Sequence, residues 1–332
     1  MKASESGEFG LIEILRRMVA ERGEIAPDLI LGIGDDAAAW QVGESVQLGS
    51  TDMLVAGIHF NMDMISWHDL GWKALAVNIS DIAAMGGMPE YAMISLGLPA
   101  DAEVERVTEL YQGMTEIARQ FGVRIIGGDT VEAPVLTVSP VVIGRTEKGR
   151  LMTRSGAEPG DLIAVTGNLG TSAAGLRMLR GKMQFDPETE TLLRKAHLKP
   201  LPRVDEGRLL SRGGVKAAID ISDGLIADLT HVCRASRVGA SLSAENIPIH
   251  PTVRDCFPNE SLSLAISGGE DYELLFTAPK EIIESIKQQL ADPITIIGEI
   301  VPEDPGEVKI LDEGQNLITP KKGGWEHFGD RL

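Results

Sequence analysis

One kind of turn recurs along this chain and constrains its fold and chemistry more than any other feature: a carboxylate beside glycine, serine or threonine. The apolar run 123–126, for example, predicts a buried strand that stops at Gly127 and Gly128, directly before Asp129. Glycines at a strand end let the backbone turn tightly and approach a ligand closely. Five such turns predict one acidic site assembled from separate loops. The turns are Gly34-Asp35-Asp36, Ser50-Thr51-Asp52, Gly127-Gly128-Asp129-Thr130, Asp220-Ile221-Ser222-Asp223-Gly224 and Gly268-Gly269-Glu270-Asp271.

The charge of the chain narrows the choice of partners. Its 332 residues predict two domains of ordinary size, and its formal net charge is −18. An acidic surface argues against nucleic acid as a partner, because neutralising phosphates takes Lys and Arg side chains. It argues equally against an anionic membrane. A phosphate ligand would need cations that the site recruits, and Mg²⁺ is the obvious one.

The cysteines and the apolar segments point to an ordinary intracellular protein. Cys233 and Cys256 form neither a Cys-x-x-Cys pair nor a Cys/His cluster with zinc spacing. The N-terminal stretch lacks the continuous apolar segment of a signal peptide, and no stretch approaches the ~20 apolar residues of a membrane span. We therefore expect a soluble, cytoplasmic protein.

A dinucleotide-binding motif is matched only superficially. Gly32, Gly34 and Ala37 fit the GxGxxA pattern, with Asp52 near the spacing of the acid that binds the ribose. However, two aspartates would then face the pyrophosphate. The residues after the motif, 37–48, are typical of a strand and a turn, whereas the phosphate should sit at a helix N-terminus.

A P-loop is matched no better. Gly175 and Gly181-Lys182 have one residue too many between the glycines, and Met183 stands where serine or threonine is required. The Gly-Lys pair also follows a predicted helix instead of preceding one. We therefore expect neither a dehydrogenase nor a Walker A nucleotide site.

A helix predicted over 67–85 carries a further acidic position. Ser66 suits its N-cap, and two glycines end it. Asn78 and Asp81 are three residues apart and share one helix face. Asp81 stands in an apolar stretch, where a carboxylate indicates either a bound cation or a surface position near the helix end.

The stretch 145–160 is polar and contains glycine and proline, which predicts a domain boundary. We place an N-terminal domain at 1–150 and a C-terminal domain at 151–332. The second domain restarts with a strand at 162–165 and continues with interleaved helices and strands, so the predicted fold class is α/β (α+β).

The acidic turns predict a metal site that carries phosphate. Carboxylates gathered in one place repel one another, and a divalent cation relieves that repulsion. Mg²⁺ takes hard oxygen ligands and is commonly held by one or two carboxylates together with substrate phosphates. We therefore expect several Mg²⁺ ions with a polyphosphate. Arg154, in the glycine-bearing linker, is a candidate phosphate clamp, although a linker arginine is usually solvated.

A series of motifs follows in order along the chain: Gly32-Ile33-Gly34-Asp35-Asp36-Ala37-Ala38, Ser50-Thr51-Asp52-Met53-Leu54-Val55, Gly57-Ile58-His59-Phe60, Asn78-Ile79-Ser80-Asp81-Ile82-Ala83-Ala84-Met85-Gly86-Gly87, Gly127-Gly128-Asp129-Thr130, Asp220-Ile221-Ser222-Asp223-Gly224-Leu225, Ser267-Gly268-Gly269-Glu270-Asp271-Tyr272-Glu273-Leu274 and Gly324-Trp325-Glu326-His327-Phe328. In this combination the chain resembles the thiamine-monophosphate kinases, a family of the superfamily that includes aminoimidazole ribonucleotide synthetase. The resemblance covers nearly the whole chain, and the combination of motifs makes it specific.

The resemblance implies a fold and an activity. The fold would be aminoimidazole ribonucleotide synthetase-like, with two α/β domains and with the N-terminal domains of a homodimer closing a β-barrel. The activity would be transfer of the γ-phosphoryl group of ATP to thiamine monophosphate, giving thiamine diphosphate and ADP. ATP and thiamine monophosphate are thus the expected partners, with several Mg²⁺ ions as cofactors.

The resemblance also implies roles for individual residues. Asp52, Asp81 and Asp129 are expected to be catalytic. The implied metal ligands are Asp35, Ser50, Thr51, Asp52, Asp81, Asp129, Asp220 and Asp223. The implied ATP contacts are Tyr111, Gly128, Asp129, Arg154 and Ser222, and the implied contacts to the thiamine end are His59, Glu270 and Trp325.

Three alternatives remain. A selenophosphate synthetase normally uses a reactive Cys or selenocysteine near the N-terminus, and the hydrogenase-maturation dehydratase uses a C-terminal Cys. Here both cysteines lie in the second half, and the chain ends in Asp330-Arg331-Leu332. A non-catalytic Mg-nucleotide-binding module is the alternative from another class, and the retention of every acidic turn argues against it.

Overall fold

The computed structural model describes residues 2–22, 26–290, 293–319, 324, 325 and 327. Within these residues the chain forms ten α-helices and thirteen strands, numbered in chain order. The helices are α1 (Ala3–Arg22), α2 (Trp67–Ala84), α3 (Val104–Phe121), α4 (Thr171–Gly181), α5 (Pro187–Leu198), α6 (Val204–Gly213), α7 (Leu225–Ser236), α8 (Pro251–Cys256), α9 (Ser261–Ser267) and α10 (Lys280–Lys287). The strands are β1 (Leu29–Leu31), β2 (Ala38–Val42), β3 (Ser45–Thr51), β4 (Leu54–Val55), β5 (Met88–Leu98), β6 (Arg124–Glu132), β7 (Thr137–Glu147), β8 (Leu162–Thr166), β9 (Ala217–Asp220), β10 (Gly239–Ser243), β11 (Leu274–Ala278), β12 (Ile294–Val301) and β13 (Val308–Leu311).

The first half of the chain is built on a seven-stranded sheet. Its strand order is β1-β2-β3-β7-β5-β6, and β4 pairs with β7 off this path. All pairs are antiparallel except β5 with β6. Over the described ranges the sheet is open, with β1 and β6 at opposite edges, so the chain alone closes no barrel. A barrel formed by two subunits stays a prediction.

Strand β6 corrects one prediction from the sequence. The strand expected over 123–126 was to end in a turn at Gly127 and Gly128, but β6 runs straight through both glycines. Its register against β5 shifts at Ile126, which is a β-bulge. Gly128 is required by close pairing, because a Cβ there would lie 1.9 Å from Ile94 O. The two glycines therefore serve a bulged strand and not a turn.

The second half carries a six-stranded sheet in the order β13-β10-β12-β8-β11-β9. The pairs are antiparallel except β10 with β13. The mixed α and β content and the two sheets agree with the predicted fold class. Buried apolar side chains form one large core that extends through both halves, and a smaller core surrounds Phe276 between this sheet, α6 and α10.

Helix α2 is the element that joins the halves. It begins where the sequence predicts, and Ser66 Oγ caps it by accepting the N–H of Asp69 at 3.0 Å. It crosses α3 so closely that only glycine fits: a Cβ on Gly71 would lie 1.9 Å from a backbone oxygen of α3. A Cβ on Gly207 of α6 would lie 2.2 Å from Ala83 O of α2. Fourteen of its residues are buried, and these include the polar side chains Lys73, Asn78 and Ser80.

None of the helices in the described part of the chain combines the length and the apolar composition that crossing a bilayer demands.

Candidate active site

Carboxylates from three separate elements meet between the two halves. One oxygen from each of Asp36, Asp81 and Asp220 lies within 4.8 Å of the other two. Asp36 lies in the loop after β1, Asp81 on α2, and Asp220 at the end of β9. We call these three residues the carboxylate cluster. Two of its members, Asp81 and Asp220, are predicted metal ligands.

Two buried serines orient the cluster. Ser50 Oγ, at the end of β3, donates a short hydrogen bond to Asp81 Oδ2. Ser80 Oγ donates to Asp220 Oδ2 at 2.6 Å. Each serine comes from a different element than the aspartate it holds, and the bond from Ser80 to Asp220 joins the two halves, so the position of Asp220 depends on how the halves pack.

The local electrostatics are unfavourable for so many charges. Burial, and then the charges of neighbouring aspartates, raises the pKa of Asp81 well above its ordinary value and that of Asp220 to about 8. Burial, and then the charge of Asp36, raises the pKa of Asp52 to about 6. Burial is also the main cause that raises the pKa of Asp35 and of Asp223 to about 7. Without a cation, this group of side chains would hold protons near neutral pH.

One oxygen of the cluster indicates that a cation fits. Asp36 Oδ2 is buried and has no hydrogen-bond partner among the described residues. A buried carboxylate oxygen without a partner is costly, and it is the kind of hard ligand that Mg²⁺ takes. The ligands predicted from the sequence include Asp35 but not its neighbour Asp36. Its position directly after Asp35 in the same turn was the available signal.

Arg154 connects the turn after β1 to the second half. Its guanidinium donates to Asp36 Oδ1 from Nε at 3.0 Å and from Nη2 at 2.6 Å, and its backbone N–H donates to Asp35 Oδ2 at 3.0 Å. The side chain is largely buried, with 22% of its surface exposed. Arg154 is therefore not solvated, although the composition of the stretch 145–160 is typical of a solvated linker. Its contact with ATP stays a prediction.

A second aspartate, absent from the predicted site residues, fixes the shape of the loop after β9. One oxygen of Asp228, on α7, accepts the backbone N–H groups of Ser222, Asp223 and Gly224 at 3.0–3.1 Å. Three such bonds fix the loop that carries the predicted ligand Asp223 and the predicted ATP contact Ser222. The signal available in the sequence was an acid one helical turn after Gly224.

A cleft of about 760 Å³ adjoins this region and contains two of the predicted substrate contacts, His59 and Glu270. Glu270 forms an ion pair with Lys73 Nζ at 2.9 Å, and its carboxylate lies 3.2 Å from His197 Nδ1. Burial acts to raise the pKa of Glu270, but the charge of Lys73 acts against it, and the pKa lies below its ordinary value. Its backbone has φ of 65°, an uncommon value for a residue other than glycine. The site thus holds an ionised carboxylate in a fixed direction.

The C-terminal segment lies beside the same cleft, because His327 contacts the lining residue His59. The backbone N–H of Trp325 donates to Asp223 O at 3.1 Å, and its ring meets His327 edge-on with 6.0 Å between ring centres. His59 Nδ1 accepts the N–H of Val55 at 3.0 Å, so its proton is on Nε2, which lies 3.1 Å from His327 Nε2. Glu326 and Phe328 of the same motif lie outside the described residues.

The remaining predicted residues lie on β3, α3 and β6, and their roles stay predictions. Thr51 Oγ1 donates to Pro140 O at 2.9 Å, and Tyr111 is half-buried on α3. Gly128 and Asp129 lie on β6. Asp129 is exposed, its carboxylate accepts the N–H of Thr130 at 2.9 Å, and it is not a member of the carboxylate cluster.

Comparisons with known proteins match both halves of the chain. Residues 34–146 match the N-terminal domain of AIR synthase related proteins, and residues 158–310 match their C-terminal domain. The thiamine-monophosphate kinase of Bacillus subtilis (strain 168) is 40% identical over 306 residues, which are 90% of this chain and 93% of that protein. The thiamine-monophosphate kinase of Escherichia coli (strain K12) is also 40% identical, over 97% of this chain and 98% of that protein.

Solved structures agree with the sequence matches. A structure described as AaThiL complexed with AMPPCP and TMP has a TM-score of 0.86 at 33% identity, and the match covers 98% of this chain and 99% of that one. Thiamine monophosphate kinase from Aquifex aeolicus has a TM-score of 0.80 at 31% identity, over 96% of this chain and 100% of that one. From its sequence and its fold, the chain belongs to the thiamine-monophosphate kinase family, among the proteins related to AIR synthase.

Proposed function

We propose that this protein phosphorylates thiamine monophosphate with ATP, giving thiamine diphosphate and ADP. The observation that supports this most strongly is its likeness, over almost the whole chain, to the structure with AMPPCP and TMP, combined with an acidic cluster beside a cleft. AMPPCP replaces the β–γ bridging oxygen of ATP with carbon. That related structure therefore supports a site for a nucleoside triphosphate and a phosphorylated acceptor.

The carboxylate cluster is the part of this site that suits Mg²⁺. Asp36, Asp81 and Asp220 would hold the ion, and the other predicted ligands would join as the substrates bind. When bound, Mg²⁺ would offset the phosphate charge that opposes the approach of two anions. Ser50 and Ser80 hold Asp81 and Asp220 in place, and Arg154 holds Asp36, so the carboxylates are positioned in advance.

The acceptor explains why no general base is needed. A phosphate monoester is largely ionised at neutral pH, so its oxygen is already a nucleophile. The task of the protein is to hold the acceptor in line with the γ-phosphoryl group and to keep water away. We expect direct transfer without a phosphorylated enzyme. Isolation of ³²P-labelled protein after incubation with labelled ATP alone would contradict direct transfer.

The cleft suits the cationic thiazolium ring of thiamine monophosphate. Glu270 offers an ionised carboxylate whose direction Lys73 and His197 fix. Trp325, with 47% of its surface exposed, offers an open aromatic face, and a cation–π contact there would contribute ~1–2 kcal/mol. His59 would complete the predicted contacts. If Trp325→Ala left the affinity for thiamine monophosphate unchanged, that contact would be excluded.

The assembly is a further part of the proposal. Two copies would pair through their N-terminal domains to close a barrel. Strand β6 supports this, because it is an open edge strand with exposed apolar residues such as Ile126 and Val131. We also propose domains at 1–150 and 151–332. The location in the cytoplasm remains a prediction from the sequence.

The decisive experiment is a turnover assay with Mg-ATP and thiamine monophosphate, followed by chromatography for thiamine diphosphate. Asp36→Asn and Asp129→Asn should each lose turnover, whereas Asp101→Asn, an exposed loop residue, should keep it. A wild-type protein that makes no thiamine diphosphate would refute the proposal. Turnover that survives in Asp36→Asn would remove the cluster from the mechanism.

A further inference from the structure

A second cleft, of about 260 Å³, differs from the site described above because its lining is basic and not acidic. Four arginines line it, with a single glutamate, in a chain whose net charge is −18. The arginines are Arg145, Arg150, Arg208 and Arg212. None of them belongs to the predicted kinase site.

Both halves of the chain contribute to the walls of this arginine cleft. Arg145 lies near the end of β7 on one wall, and Arg208 and Arg212 lie on α6 on the other. Arg150, in the segment between the halves, is fixed by donating to the backbone oxygen of Arg212 at 3.0 Å. A Cβ on Gly86 would lie 2.6 Å from Ser211 Cβ, so the two halves are closely packed where these residues line the cleft. The cleft is therefore a shaped recess between two packed elements.

The charges in the arginine cleft are only partly compensated. Arg145 pairs with Glu90 at 2.9 Å, with 54% of the arginine side chain exposed. In contrast, the side chains of Arg208 and Arg212 form no hydrogen bond or ion pair with any residue that the structure describes. Unpaired guanidinium groups that line a recess suit an anion, because each can offer two parallel N–H donors to a carboxylate or phosphate.

The size of the cleft selects among anions. Pockets for drug-sized ligands are about 300–1,000 Å³, and this one falls below that range. The unpaired Arg208 and Arg212 together offer more N–H donors than a small monovalent anion requires. We propose that the arginine cleft is a binding site for a diphosphate group, distinct from the kinase site. The diphosphate is either free pyrophosphate or the end of a nucleoside diphosphate whose remaining part projects into solvent.

A titration in the absence of divalent metal tests the proposal. With EDTA present, no divalent cation can bridge a phosphate to the carboxylate cluster, so isothermal titration of the whole protein with pyrophosphate reports on basic sites. The variant Arg208→Gln/Arg212→Gln should bind pyrophosphate at least about tenfold more weakly than the wild type, since it loses charge-assisted hydrogen bonds. Arg145→Gln, on the other wall, should weaken binding in the same direction.

A matched control removes the effect of net charge. Arg106→Gln/Arg119→Gln changes the charge equally on the exposed side of α3 and should bind pyrophosphate as the wild type does. Thermal melting of each variant checks that it folds. A parallel titration with ADP distinguishes the sources: similar binding of both ligands indicates a site for nucleoside diphosphates, and preference for pyrophosphate indicates the free anion.

Three results would overturn the proposal. The first is that the wild type shows no measurable binding of pyrophosphate or ADP at millimolar concentration. The second is that Arg208→Gln/Arg212→Gln binds pyrophosphate as tightly as the wild type does. The third is that the α3 control loses as much affinity for pyrophosphate as that variant. Each result is independent of whether the protein turns over thiamine monophosphate, because no substrate of the kinase reaction and no Mg²⁺ is present in the titration with pyrophosphate.

Discussion

Ser80 Oγ on α2 donates a hydrogen bond of 2.6 Å to Asp220 Oδ2 on β9, 140 positions later in the chain. The two residues are 0% and 2% exposed, so the bond lies in the interior. It joins the first half of the chain to the second at the carboxylate cluster. The position of a predicted metal ligand is thereby tied to the packing of a helix from the other half.

Replacing Ser80 with alanine should destabilise the fold by about 1–3 kcal/mol, because a buried carboxyl group loses a hydrogen-bond donor. It should also raise the pKa of Asp220 further, since the Ser80 hydroxyl acts to lower that pKa against the larger effect of burial. Urea unfolding at neutral pH in EDTA measures the first effect. Thr108→Ala is the control: it removes a hydroxyl bonded to Val104 O on the exposed side of α3 and should cost no more than about 0.5 kcal/mol.

The acidic site should make stability depend on pH and on Mg²⁺. The folded pKa values of Asp35 and Asp223 are raised to about 7, and that of Asp220 to about 8, from an ordinary value of 3.8, mainly by burial. The folded state therefore binds more protons than the unfolded state between these values, and stability falls as the pH rises from about 4 to about 8.

Melting temperature measured in EDTA at about pH 5.5 and about pH 8.5 should show that fall, and excess Mg²⁺ should reverse it by neutralising the carboxylates. The double variant Asp81→Asn/Asp220→Asn should show a smaller fall and a smaller gain with Mg²⁺. An equal gain in this variant would mean that the ion binds elsewhere.

His197 should produce a pH dependence of the opposite sign. Burial, and then the charge of Lys73, lowers its pKa to about 4 from 6.5, so the ring is neutral in the fold. Its contribution to stability is complete above the unfolded pKa and is lost as the pH falls from about 6.5 towards 4. In His197→Gln, the destabilisation relative to wild type should shrink by about 2 kcal/mol between about pH 7.5 and about pH 5. Urea unfolding at both values checks this, and a constant difference would refute it.

Much of the fold follows from local patterns. Helix α2 lies where Ser66 and the apolar periodicity place it, and α3 ends with Gly122 in the left-handed conformation as its C-cap. Strand β5 was missed, because Pro89 and Gly97 are unfavourable in an isolated strand. Pairing with two neighbours, β6 and β7, overrides that local preference.

The sequence predicts what type of site this is, but it does not predict every residue that forms it. Residue types and turns predict an acidic, metal-binding site, and the family resemblance supplies most of the names. They do not distinguish Asp35 from Asp36, because only the tertiary structure decides which of two adjacent carboxylates turns towards Asp81 and Asp220. The same holds for Lys73, whose buried ammonium fixes Glu270 from a helix distant in sequence.

Gly127 and Gly128 offer a matched test of why the predicted turn is a strand. A Cβ on Gly127 would meet nothing within 4 Å, whereas one on Gly128 would lie 1.9 Å from Ile94 O, and Gly128 also has φ of 155°. Gly128→Ala must therefore push β6 away from β5, and we expect it to destabilise the protein by several kcal/mol or to prevent folding. Gly127→Ala should change stability by about 1 kcal/mol or less. Urea unfolding of the two variants measures the difference, and equal effects would show that the bulge does not need a glycine at residue 128.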